Sequence, residues 1–134
     1  MISGYVLDPS TIEDFGRDTL YALQAVHELD MAAQSIVVPT TAMAEALTGL
    51  DSPEDVDRAL FLLDFGVVVT DDLTRENTES VATIASTAKG AMSIGMAHAA
   101  VASHARAATV VSAVPARWAA AHPDTDVRGL SEQE

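Results

Sequence analysis

A chain of 134 residues suits one domain and is long enough to bury a real core, roughly two thirds of its unfolded surface. Hydrophobic residues make up 49% and aromatics only 4%, so the core is expected to be aliphatic, and the absence of cysteine excludes disulfides, thiolate metal sites and a Cys nucleophile while suiting a reducing cytoplasm. Twenty acidic residues against 7 basic give a formal charge of -13, opposite in sign to what attracts phosphate backbones and therefore against autonomous, non-specific nucleic-acid binding.

The acids are scattered (Glu13, Asp14, Asp18, then Asp51, Glu54, Asp55, Asp57), the pattern of solvated helix faces. Residues Met1 to Ser10 lack the positive segment and longer apolar stretch of a signal peptide, and no window approaches the ~20 apolar residues of a membrane span, so no membrane association and a cytoplasmic location are expected.

The chain opens on a short apolar run, Tyr5-Val6-Leu7, read as a buried first strand and ended by Asp8. After Asp8-Pro9-Ser10, the spacing of Ile12, Phe15, Ala22, Val26 and Leu29 predicts a helix that is interrupted near Gly16, ends around Asp30, and is capped by Ser10 or Thr11. Ile36-Val37-Val38, cut off by Pro39, predicts a second strand. Thr40 or Thr41 then starts a helix whose core stripe is Met43, Ala46, Leu47 and Leu50. Ser52-Pro53 is an N-cap followed by proline at the first helical position, and Val56, Ala59, Leu60 and Leu63 are expected to form that helix's buried face.

Gly66 closes the helix, and Val67-Val68-Val69-Thr70 reads as the third strand. Further helices are predicted from Thr74 to Ala88 and from Met92 to Ala105, a fourth strand over Thr109-Val110-Val111-Ser112, and a short fifth at Asp126-Val127-Arg128 before a polar tail from Ser131. Strands alternating with helices through one compact chain imply a single α/β domain over residues 1–130, with a mainly parallel four- to five-stranded sheet flanked by helices. The tail is 131–134.

In an open parallel sheet, ligands and catalytic groups collect at the carboxyl end of the first strand, which makes Asp8 the leading candidate for a metal ligand or nucleophile. The order strand, Asp, helix, strand, Pro, helix with Glu, late Ala-rich helix, strand ending in Ser-x-x-Pro resembles the PIN domain, the fold of VapC-type toxin ribonucleases. The residues that carry the resemblance are Val6-Leu7-Asp8, Val38-Pro39 with Glu45, His98-Ala99-Ala100-Val101-Ala102, and Val110-Val111-Ser112-Ala113-Val114-Pro115.

The resemblance implies a site at the carboxyl ends of the strands where four acids hold Mg²⁺ or Mn²⁺ and activate water against an RNA phosphodiester. Asp8 matches the first acid and Glu45 the second, so these two are the metal-ligand candidates. His98 stands where the third acid is expected, Val114 where the fourth is expected, and Ser112 is an auxiliary hydrogen-bonding group. The resemblance also implies a homodimer, a cognate antitoxin protein and single-stranded RNA as partners.

Mg²⁺ commonly uses one or two carboxylates completed by water and phosphate, which Asp8 and Glu45 suffice to supply. A second cation ~3.5 to 4 Å away needs more negative charge than two carboxylates carry, so a two-metal mechanism is not expected. Imidazole at His98 favours Mn²⁺ or another transition metal over Mg²⁺, or serves as a base.

Each residue also has a plainer reading. Asp8 before Pro9 suits a helix cap or turn, and Glu45 lies off its helix's apolar stripe. Ile94, Ala97, His98 and Val101 fall at helical spacing and put His98 on an apolar face as a hydrogen-bonded core or interface histidine. Trp118, the only tryptophan, is expected to pack the last helical turn onto the sheet.

Asp71-Asp72 after the third strand invites comparison with a phospho-acceptor receiver domain, but the only lysine, Lys89, lies between helices and not after the last strand. No Gly-rich phosphate loop, Gly-x-Ser-x-Gly elbow or His-Glu-x-x-His is present. Two readings remain: a metal-dependent endoribonuclease with a degraded site and weak or absent activity, or an inactive PIN-fold module for protein binding or dimerisation.

Overall fold

The computed structural model describes residues 4–130; the expected tail at 131–134 lies outside the described residues. Its five strands are β1 (Tyr5–Leu7), β2 (Ile36–Pro39), β3 (Val68–Asp71), β4 (Thr109–Ser112) and β5 (Val127–Gly129). They form one all-parallel sheet in the order β3-β2-β1-β4-β5. Seven helices accompany them among the described residues: α1 (Pro9–Gly16), α2 (Leu20–Met31), α3 (Thr40–Thr48), α4 (Pro53–Phe61), α5 (Arg75–Thr87), α6 (Ile94–Arg106) and α7 (Pro115–Ala121). None of the described helices is long and apolar enough to cross a membrane.

The three layers follow from strand periodicity. Successive side chains of a strand point to opposite faces, and the register sets Val6 beside Val37 and Val110. These three pack with Met92, Met96, Ala99, Ala100 and Trp118 on the α5–α7 side. The alternate residues Leu7, Ile36, Val38 and Val111 pack with Ile12, Phe15, Val26, Met43 and Leu62 on the other. Both faces of β1, β2 and β4 are thus covered, which is why these strands do not read as alternating apolar and polar patterns.

The long first helix expected from the apolar spacing is two helices. The chain breaks after Gly16, passes through Asp18 at φ 65°, and restarts at Leu20. Asp8, and neither Ser10 nor Thr11, caps α1, its carboxylate accepting from the Thr11 N–H. Leu60 and Leu63, expected to be buried, are 40% and 39% exposed, while Leu62 is buried. For Leu63 the reason is a change of helical pitch: α4 gives way to a 3₁₀ turn at Leu62–Asp64, where three residues make a turn, and the buried series becomes Ala59 and Leu62.

The interface between α3 and α6 positions the rest. It has two rungs: Thr41 faces His98, and Glu45 faces Gly95 one turn along each helix. The pairs run in opposite chain directions, so the helices are antiparallel there. At Gly95 a Cβ would lie 2.6 Å from Glu45 Oε1, 2.7 Å from Pro9 Cγ and 3.0 Å from Ala42 Cα, distances that force a backbone or a proline ring to move. Gly95→Ala is therefore expected to lower the unfolding free energy by about 1–3 kcal/mol through overpacking, although alanine's helix propensity alone would raise it by ~1 kcal/mol. Urea denaturation decides between the two, and a midpoint equal to or above that of the wild type would show that α3 and α6 part without cost.

Candidate functional site

Strand order reverses on either side of β1, so the crevice outside the carboxyl ends of β1 and β4 is the topological switch point, the place where ligands settle in open α/β sheets. Asp8, Pro9 and Ser10 leave β1 there; Ser112, Ala113 and Val114 leave β4. Asp8 has no exposed surface. Its Oδ1 accepts from Thr11 N at 2.9 Å and from Ser10 Oγ at 2.7 Å, and its Oδ2 accepts from Trp118 Nε1 at 2.8 Å. Both carboxylate oxygens are thus committed to N–H and O–H donors, none of them cationic.

Ser10 closes the crevice from the other side. Its Oγ accepts from Ala113 N at 3.0 Å and lies 3.4 Å from Ser112 Oγ, while Ser112 Oγ accepts from Val114 N at 2.9 Å. Thr11 Oγ1 donates to the Val111 carbonyl at 2.7 Å. The ends of β1 and β4 are thereby tied by side-chain bonds. Ser112 is buried, and Val114, where the PIN resemblance expects a fourth acid, is a 37% exposed valine.

Glu45 is half-buried, not a free surface carboxylate. Its Oε1 accepts from Gly95 N at 3.0 Å at the positive start of α6. The α6 residue facing Glu45 and Pro9 is Gly95, which contributes no side chain. His98 sits one turn further on. Its side chain is 0% exposed, its Nδ1 lies 2.6 Å from Thr41 Oγ1, and its Nε2 lies 2.9 Å from Asp71 Oδ1. Asp71 Oδ2 in turn accepts from Arg106 Nε at 3.2 Å and Nη2 at 3.1 Å.

In the tautomer whose Nε2–H donates to the Asp71 carboxylate, Nδ1 is left to accept the Thr41 hydroxyl proton. Hydroxyl, imidazole and carboxylate in a row have the connectivity of a catalytic relay. The imidazole is sealed from solvent, however, and the arrangement works as a strut joining α3, α6 and the end of β3. Asp71 is the residue of this group that sequence reasoning set aside. Its signal was present as a carboxylate at a strand's carboxyl end, the same signal that singles out Asp8.

These donors do not fit Mg²⁺ or Mn²⁺. A hard cation needs several oxygen lone pairs directed at one point, whereas three of the roughly four acceptor positions of Asp8 already take hydrogen bonds and Glu45 has turned one oxygen towards an N–H. Among the described residues no group of three or more His, Asp or Glu is placed to hold a metal ion.

Two outcomes test this reading. Trp118→Phe keeps the ring's packing but leaves Asp8 Oδ2 unpaired in a buried setting, which is expected to cost about 1–3 kcal/mol in urea denaturation; a loss well below that range would mean that water or another group replaces the indole. Asp14, on α1 beside this site, has its carboxyl raised above the ordinary 3.8 by burial; Arg17 opposes the rise, and Glu13 and Asp8 add to it. A raised carboxyl means that ionisation costs stability, a cost absent at low pH and incurred as pH rises through the folded-state value. Asp14→Asn is accordingly expected to raise the urea midpoint at neutral pH, with the gain vanishing below pH 3.8; a gain that does not change with pH would refute the assignment.

Compared with known proteins, the chain matches no family model and no curated protein.

Proposed function

We propose that this chain is a PIN-like domain of the toxin–antitoxin ribonuclease lineage that has lost its Mg²⁺ or Mn²⁺ site and acts in the cytoplasm as a non-catalytic protein-binding or dimerisation module. One observation carries the reading: the carboxylate at the first-strand position is buried and has both oxygens hydrogen-bonded, by Thr11, Ser10 and Trp118, as a structural cap and not as an open ligand. The glycine facing Glu45, the valine at position 114 and the charge of -13 point the same way, since none of them favours a phosphodiester. The lineage supplies the partner classes, a cognate antitoxin or a second copy of the chain, with single-stranded RNA demoted from substrate.

Cleavage of end-labelled single-stranded RNA with Mg²⁺, Mn²⁺ or EDTA is the direct test. No metal-dependent cleavage is expected from the purified protein. Metal-dependent cleavage abolished by Glu45→Gln, in a variant that keeps the wild-type melting curve, would overturn the proposal and restore the nuclease. Cleavage unaffected by that substitution belongs to a contaminant.

A further inference from the structure

A second concavity lies away from the crevice just described, at the amino-terminal end of β4. It is a groove of about 990 Å³ between α5, the last turns of α6 and the segment that joins α7 to β5. Its floor is apolar: Ile84 from α5, Ala100 and Val101 from α6, and Ala108 just beyond it. Its rim is acidic, with Glu79, Asp124 and Asp126 among the lining residues and no Lys or Arg. Asp126 is held in place by Thr109 Oγ1, which donates to its Oδ2 at 2.7 Å, while Glu79 and Asp124 stand exposed. The imidazoles along it are His104 and His122, the latter 2.6 Å from Thr125 Oγ1 through Nδ1.

The end of α6 adds to the same sign. The helix stops at Arg106, with Ala107 left-handed at φ 51°, so its terminal carbonyls, the negative end of the helix dipole, lie at this groove. An apolar floor, a ring of carboxylates and a helix C-terminus together select a ligand that is apolar on one side and cationic around it. A bare cation has no use for the floor, and an anion is repelled by the rim. The volume stands at the top of the range for small-molecule sites, roughly 300–1,000 Å³.

On the reading of the chain as a non-catalytic module, we infer that this groove docks a cationic amphipathic helix of a partner protein, with apolar residues at helical spacing seated on Ile84 and Val101 and Lys or Arg reaching Glu79 and Asp124. Charge complementarity of this kind governs specificity and association rate, so it is testable by reversal of sign.

The probe is a labelled synthetic peptide with leucine at helical spacing and lysine elsewhere, against the same peptide with glutamate for lysine, followed by fluorescence anisotropy at physiological ionic strength, where charges more than ~8 Å apart are screened. The lysine peptide is expected to bind and the glutamate peptide not to bind. The double substitution Glu79→Lys with Asp124→Lys is expected to weaken binding by about tenfold or more. Thr83→Trp, which fills the groove from an exposed position, is expected to weaken it as well. The control pair Glu28→Lys with Asp57→Lys makes the same change of net charge on the opposite layer and is expected to leave affinity within about threefold, circular dichroism having shown that all variants fold.

Equal weakening by the control pair would show that the peptide merely answers the chain's overall charge and would overturn the proposal. So would undiminished binding to the groove variants, or no binding of the lysine peptide. The RNA assay reports separately on the parent reading, because metal-dependent cleavage would refute the module without touching the groove's affinity.

Discussion

A buried carboxylate must find a donor for each oxygen or give up its charge, and at Asp8 the chain supplies three donors from two distant places in sequence. Thr11 and Ser10 come from the first turn of the helix that Asp8 itself caps; Trp118 comes from α7. The indole that satisfies Oδ2 also fills the core on the α5–α7 face beside Val6 and Val110. One side chain therefore joins the capping of α1, the end of β1 and the seating of α7. Desolvation makes an unpaired charge costly, and the pairing that removes the cost also occupies three of the roughly four acceptor positions of the carboxylate.

The contact of α3 with α6 shows the same economy. Thr41 with His98 and Glu45 with Gly95 are polar rungs in an otherwise small-residue interface, and each carries a hydrogen bond that an apolar pair would not need. Buried polar pairs of this sort add little net stability, but they fix register, because sliding either helix by a turn parts His98 from Thr41 and the Glu45 carboxylate from Gly95 N. Asp71 and Arg106 extend the constraint to the end of β3, so the edge of the sheet is located by the same histidine.

Strands and their order of appearance were legible in the sequence because fully covered β-branched runs bounded by Pro and Gly have few other conformations open to them; Ile36-Val37-Val38 before Pro39 is the clearest case. The cap at Asp8 was legible as one of two readings, and what the sequence did not carry was the donor 110 residues away that decides between them. His98 was correctly expected on a buried face, but Ile94, taken to share that face, is 51% exposed. The stripe misled because α6 is buried nearly all round, lying against α3, α5 and the sheet, and a helix covered on several sides has no single stripe. Leu63 failed for a different reason, a shift to 3₁₀ pitch that leaves no mark in composition.

The sheet's connectivity bears on how the chain comes to be folded. Its central strand is the first in sequence, and one of the two neighbours that flank it, β4, arrives only at Thr109–Ser112. Contacts this distant are slow to form, because the entropy of closing a long loop is met before any of them yields a return. A nascent chain that has emerged only as far as α6 holds β1 with one edge open and Asp8 without its indole. Until the last quarter of the protein appears, the amino-terminal part is a hydrophobic strand whose closing carboxylate has donors on one oxygen only, and a fragment that stops short of Trp118 keeps the other oxygen without its indole permanently.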